Sequence, residues 1–247
     1  MIHNIAHRGA SAYEPENTLR AFERAIALGA TMIELDVHLS RDERLVVVHD
    51  ADLSKTTNGV GRVHEMSLDQ IKRLDAGRGE RVPTLPEAIE LARGRAQLYI
   101  ELKGQRTPAP LAQTLRDMRF ADQAIVASFY PWLTQKVKWL APEIRTAVLV
   151  GQWGQDEMVE WALAVDADYV HPAWEKLAPA PHLLLTPELL ADVRRHGLGL
   201  ITWHEERPEE LRELVNLGVE GICTNTPDVL FHILQEKSES HDGKSRF

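Results

Sequence analysis

Short apolar or β-branched runs alternate with stretches whose apolar residues recur at intervals of three, four and seven. The runs are "HNIAHR" (3–8), "MIELDV" (32–37), "QLYIELK" (97–103), "AIVASF" (124–129), "RTAVLV" (145–150), "ADYVHP" (167–172), "LGLITW" (198–203) and "EGICTN" (220–225). Between them lie helical patterns such as Leu19, Phe22 and Ile26, or Leu133, Val137 and Leu140. Start and stop signals agree with this division. Thr84 with Glu87 forms a capping-box pattern, Thr186-Pro187 and Thr226-Pro227 each place a cap before an N1 proline, and Gly29, Gly94, Gly197 and Gly218 follow helical runs. Eight strand–helix units with right-handed crossovers predict an α/β fold, a (β/α)₈ TIM barrel. An open doubly wound sheet is the alternative, but "HRGASAYEPENT" after the first strand is not G-x-G-x-x-G.

Two places break the rhythm. "LSRDERLVVVHD" reads as a hairpin, with Arg41 to Glu43 between Val37–Leu39 and Leu45–Val48. Residues 50–83 then form an insertion with one short helix, marked by a Ser67/Gln70 capping box, that reads as a lid beside the second strand. The expected domain is one barrel over residues 1–236, followed by a polar, disordered tail at 237–247.

The second strand holds a contradiction. Ile33, Leu35 and Val37 point to one face, so Glu34 and Asp36 share the other, where two buried like charges are costly without a cation. Glu101 and Lys103 repeat the two-residue spacing. In such a barrel the strand C-termini converge on one mouth, which gathers His7, Arg8, Glu34, Asp36, Glu101, Lys103, Ser128, His171, Trp203 and Asn225. If the hairpin turns near Asp42, paired residue numbers sum to about 84 or 85, which sets His49 opposite Leu35 or Asp36 and returns it to the mouth. Three carboxylates without cysteine suit one hard divalent cation, Mg²⁺, Ca²⁺ or Mn²⁺. Arg8 and Lys103 suit a phosphate, and two histidines supply a general acid and a general base. The set reads as metal-assisted phosphodiester cleavage.

Bulk properties narrow the partners. The chain has 247 residues, 44% hydrophobic and 26% charged, with a formal net charge of −9. That balance argues against nucleic acid and against a stable membrane anchor, and no run reaches the about 18 apolar residues a membrane helix needs. "MIHNIAHRGA" lacks a secretory pattern, so a cytoplasmic address is expected. The single cysteine, Cys223 in "GICTN", reads as a core thiol. A homodimer is compatible with this composition.

The motifs "AHRG", "EPENTLRAF", "GATMIELDVHLSRD", "LVVVHD", "PTLPEAI", "YIELK", "YVHP" and "GVEGICTNTPD" resemble, in order, the glycerophosphodiester phosphodiesterase family. The resemblance implies the barrel and divalent-metal-dependent hydrolysis of a small-molecule glycerophosphodiester to glycerol 3-phosphate and an alcohol. It makes Glu34, Asp36 and Glu101 metal ligands and His7 and His49 the acid/base pair. Arg8 and Lys103 would hold phosphate oxygens. His171 and Trp203, on strand ends, are expected to line the substrate pocket. The family often has Thr-Asp-Xaa-Pro where this chain reads Thr224, Asn225, Thr226 and Pro227, and often an asparagine after the tryptophan where this chain reads "TWHEERPE".

Blander readings stand beside these. Glu34 and Asp36 alone could be a salt bridge with Arg8 or Lys103, but three acids against two bases leave charge over. Glu16 and Asn17 in "PENT" read equally as a loop brace and a cap for the first helix, or as residues that reach the mouth. A lysophospholipase D-like enzyme and a non-catalytic sugar-phosphate binding barrel are the other functions considered. A glycosidase using Glu34 and Glu101 leaves Arg8, Lys103 and both histidines without a role.

Overall fold

The structure, a computed structural model, describes residues 2–151, 157–173 and 179–244, with side chains to 239. In chain order the elements are β1 (His3–Ala6), α1 (Leu19–Ala27), β2 (Met32–Leu39), β3 (Leu45–Val47), α2 (Leu68–Lys72), α3 (Leu85–Ala92), β4 (Gln97–Leu102), α4 (Pro108–Asp117) and β5 (Ala124–Ser128). They continue with α5 (Pro131–Leu140), β6 (Arg145–Val150), α6 (Met158–Ala164), β7 (Tyr169–Pro172), α7 (Pro187–Arg195), β8 (Gly199–Thr202), α8 (Pro208–Leu217), β9 (Gly221–Thr224) and α9 (Pro227–Lys244). All of these strands except β3 run parallel, and the sheet closes because β1 bonds to both β2 and β9. The result is the expected TIM barrel.

Strand alternation divides the apolar residues into two layers. Ile33, Leu35 and Val37 of β2 face outward and pack under helices with Phe22, Leu85, Ile89 and Leu111. Their neighbour Met32 faces inward with Ile5, Tyr99, Ile125, Ala147, Leu149, Ile201 and Cys223, which plug the barrel. Glu34 and Asp36 stand above this plug on the same face, so apolar residues close the barrel below them and the mouth opens above. Burying each large aliphatic side chain contributes about 1.5–3 kcal/mol, which is how the frame holds the polar mouth in place.

The hairpin pairs Val37 with Val47 and Leu39 with Leu45, a register summing to 84. Val48 N donates to Asp36 O at 3.0 Å, so His49 follows directly at the mouth. Residues 50–83 carry α2 and two short 3₁₀ turns, and bury Leu53, Val63, Ile71 and Val82 against Val46 and Val48. The Ser67/Gln70 capping box is present.

α9 continues to Lys244, because Leu230 and Ile233 bury against the helical shell and Lys237 Nζ donates to Val215 O near the end of α8. An anchored helix extends cooperatively into polar sequence. Residues 245–247 of that segment lie outside the described residues. Among the described residues no helix is long and apolar enough to cross a membrane.

Candidate active site

The "AHRG" turn follows β1. His7 N still donates to Thr224 O at 2.9 Å, after which Arg8 and Gly9 adopt positive φ, 54° and 82°. An L side chain at Gly9 would place its Cβ 2.7 Å from the backbone carbon of Ala21. Glycine lets this turn press onto α1 and so aims Arg8 at β2. Gly9→Ala is expected to cost about 2–4 kcal/mol in chemical unfolding, from the positive φ and the clash together. An unchanged midpoint would show that the turn can relax at no cost.

Arg8 N donates to Glu34 Oε2 at 2.8 Å. Its guanidinium lies 3.0 Å from Glu16 Oε1 and 3.5 Å from Asp36 Oδ2. Just past β4, Lys103 Nζ reaches Glu101 Oε1 at 2.6 Å and Asp36 Oδ1 at 3.1 Å. Asn17, also at positive φ, donates from Nδ2 to Asp36 Oδ2 at 2.8 Å. Asn17 is therefore not the helix cap. Thr18 caps α1 by accepting from Ala21 N, and Asn17 braces the acid cluster.

Glu34, Asp36 and Glu101 each offer an oxygen within 4.8 Å of the others, and all three are buried. Their surroundings separate them. Burial and the neighbouring Asp36 charge hold Glu34 well above the ordinary carboxylate range. Burial raises Glu101 to about 7 despite Lys103. Burial opposes ionisation of Asp36 too, but Lys103 and Arg8 outweigh it and draw it down to about 2. Asp36 Oδ1 accepts no well-aligned hydrogen bond even with Lys103 close by. Three crowded oxygen donors, two of them reluctant to ionise and one under-satisfied, fit a hard divalent cation.

His7 and His49 flank the cluster. His7 is 6% exposed, and its Nδ1 lies 2.7 Å from Asn225 Oδ1 while Nε2 has no partner. Burial, then the nearby Arg8 charge, lowers it to about 3, so the ring is neutral. His49 is partly exposed with Nδ1 3.4 Å from Asp50 Oδ2, and its carbonyl accepts from His38 Nε2 at 3.0 Å.

Trp203 lies one residue past β8, its ring 5.7 Å from His7, 5.6 Å from His171 and 5.3 Å from Phe129. His171 is 1% exposed inside the barrel, with Nδ1 2.7 Å from the Tyr99 hydroxyl. Burial takes it down to about 3. The two residues expected to line a pocket thus sit at different depths, Trp203 at the mouth and His171 beneath it. All nine expected site residues converge on one end of the barrel.

Several neighbours escaped the sequence reading. Tyr99 and His38 were within its reach, since each is two residues from a site carboxylate and shares its face. His204 stacks on His7 with ring centres 4.9 Å apart, and Glu206 accepts from Asn225 Nδ2 at 2.7 Å. Neither carries a local signal.

The chain matches the model of the glycerophosphoryl diester phosphodiesterase family over residues 7–229. It is 36% identical over 245 residues to a glycerophosphodiester phosphodiesterase of Caldanaerobacter subterraneus, covering 94% of this chain and 97% of that one. Among solved structures, a glycerophosphodiester phosphodiesterase of Agrobacterium tumefaciens superposes with a TM-score of 0.83 at 30% identity, covering 94% of this chain and 100% of that chain. A phosphodiesterase of Oleispira antarctica, solved with its product sn-glycerol-3-phosphate, has a TM-score of 0.81 at 27% identity and covers 94% of this chain and 96% of that chain. Barrel, mouth and comparisons agree: the chain belongs to the glycerophosphoryl diester phosphodiesterase family and is an enzyme that hydrolyses phosphoric diesters.

Proposed function

We propose that this chain hydrolyses glycerophosphodiesters such as glycerophosphocholine or glycerophosphoethanolamine to glycerol 3-phosphate and an alcohol, using one divalent cation and two histidines. The observation that carries the reading is the buried convergence of Glu34, Asp36 and Glu101 beside an unpartnered His7 Nε2. Glu34, Asp36 and Glu101 would hold Mg²⁺, Ca²⁺ or Mn²⁺. Such an ion withdraws charge from phosphate oxygens and makes a nearby hydroxyl easier to ionise.

The residues of the chain account for the remaining steps. Arg8 offers a phosphate its guanidinium fork and Lys103 a point charge. Neutral His7 takes the proton of the glycerol hydroxyl next to the ester through Nε2 as that oxygen bonds to phosphorus. His49 donates a proton to the alcohol whose bond to phosphorus breaks. Water then opens the cyclic phosphate with the two histidines in exchanged roles. Trp203 packs against the glycerol or the leaving alcohol, with His171 supporting it from below.

Removing divalent ions should reduce release of glycerol 3-phosphate from glycerophosphocholine to background, and restoring Mg²⁺, Ca²⁺ or Mn²⁺ should recover it. Full turnover in thoroughly chelated protein would rule out the metal role. Stability supplies a second readout. Glu34 and Glu101 bind a proton more tightly in the folded state than their usual 4.5, so their ionisation destabilises the protein as pH rises above 4.5, for Glu101 up to about 7. Asp36 acts oppositely, and its contribution disappears only as pH falls from 3.8 to about 2. A divalent ion needs the ionised acids, so its stabilisation should grow across the same rising window. At an ion concentration a hundredfold above its Kd at pH 8 the gain is about 2.7 kcal/mol, or roughly 5–10 °C in Tm, and the same concentration gives much less at pH 5.

One observation favours a second reading, lysophospholipase D-like action on acylated substrates. Phe129, Tyr130 and Trp132 follow β5 at the mouth and are 37%, 58% and 44% exposed, with Phe129 against Trp203. The ratio of rates on glycerophosphocholine and lysophosphatidylcholine separates the two readings.

A further inference from the structure

Asn225 and the stretch "TWHEERPE" meet at His7. Asn225 follows β9 and His204 to Glu206 follow β8, so adjacent strands deliver them to the same side of the mouth. Asn225 Nδ2 donates to Glu206 Oε1 at 2.7 Å. On its other side, Asn225 Oδ1 lies 2.7 Å from His7 Nδ1 and accepts from Ser11 Oγ at 2.8 Å. His204 covers one face of the His7 ring, nearly parallel at 18°, with its Nε2 3.6 Å from the same Glu206 oxygen.

Donor and acceptor chemistry makes this chain of contacts directional. A carboxylate only accepts, so the amide of Asn225 must turn its nitrogen to Glu206 and its oxygen to His7. An amide oxygen also only accepts, so the hydrogen of the neutral imidazole must sit on Nδ1. The lone pair is then on Nε2, the nitrogen left without a partner. We propose that Glu206, acting through Asn225, fixes His7 in the Nδ1–H tautomer and so turns its proton-accepting nitrogen towards the reacting hydroxyl. Glu206 and Asn225 are positioning residues, and His204 holds the plane of the ring. The role rests on the reading of His7 as the proton acceptor.

The test follows the tautomer directly. In protein labelled with ¹⁵N-histidine, long-range ¹H–¹⁵N correlation spectra at neutral pH should show His7 with a protonated Nδ1 and a bare Nε2. In Glu206→Ala the freed amide of Asn225 can rotate, so Nε2–H signal should appear. In the same variant kcat should fall about 10- to 100-fold, the usual cost of removing the partner that orients a functional histidine, with KM little changed. Glu206→Gln still accepts from Asn225 Nδ2 and should recover most of that loss along with the Nδ1–H spectrum. Wild-type His7 in the Nε2–H form would overturn the proposal. So would Glu206→Ala keeping both its spectrum and its kcat, or losing only thermal stability. If His7→Ala instead retained full turnover, the reading of His7 would fail while the tautomer measurement stood on its own.

Discussion

Replacing His49 with alanine is expected to lower kcat for glycerophosphodiester hydrolysis by about 10²- to 10⁴-fold, the contribution of a positioned general acid or base. Two features make this variant informative. The ring is partly exposed and belongs to none of the apolar clusters, so its removal leaves no core cavity. The contact that ties this segment to β2, His38 Nε2 to the His49 carbonyl, uses backbone and survives the substitution. Unfolding should therefore occur at the wild-type midpoint. His7→Ala should lose a similar factor, but it deletes a buried ring packed against Trp203 and His204, so part of its effect would be structural. Turnover of His49→Ala within a few-fold of wild type would take His49 out of the chemistry.

Glu34→Gln should separate stability from activity. The carboxyl of Glu34 is buried beside Asp36 and strongly resists ionisation. An amide of the same shape can still accept from Arg8 N through its oxygen, yet brings no charge. Without divalent ions at pH 8, the variant should melt above the wild type. With them it should show little of the wild-type gain in Tm, because one of three anionic ligands is gone. The several kcal/mol that a bound cation contributes to phosphoryl transfer correspond to a loss of at least about 10²-fold in turnover. Such a trade of stability against function is common where like charges are held together for a ligand. A Glu34→Gln protein that is less stable than wild type in the absence of ions, or that keeps the full ion-dependent gain in Tm, would contradict the assignment.

Much of the architecture was legible along the chain. The alternation in "MIELDV" places Ile33, Leu35 and Val37 outward and Glu34 and Asp36 inward, which is what the barrel shows. The hairpin around Asp42 was also readable, since a turn position fixes register and register carries His49 to the mouth. For Asn17 local reading offers both a cap and a place at the mouth. "PENT" has the composition of a cap, but the positive φ at Asn17 moves capping to Thr18 and turns the amide onto Asp36. In α9 the contact that holds the polar end of the helix, Lys237 Nζ to Val215 O, comes from α8 and has no local signal.

Spacing within a few residues was enough for the strands, the inward and outward faces, the caps at Ser67, Thr84 and Thr186 and the acids that crowd one strand. That Asn225 and Glu206 stand behind His7, that Asn17 braces Asp36 and that Trp203 lies over His171 became visible only in the folded chain. Those contacts join residues far apart in the chain: pairing of β1 with β9 brings Asn225 to His7, pairing of β7 with β8 brings Trp203 to His171, and the turn after β1 folds Asn17 onto β2. Local propensity carries no information about partners that meet only when the sheet closes on itself.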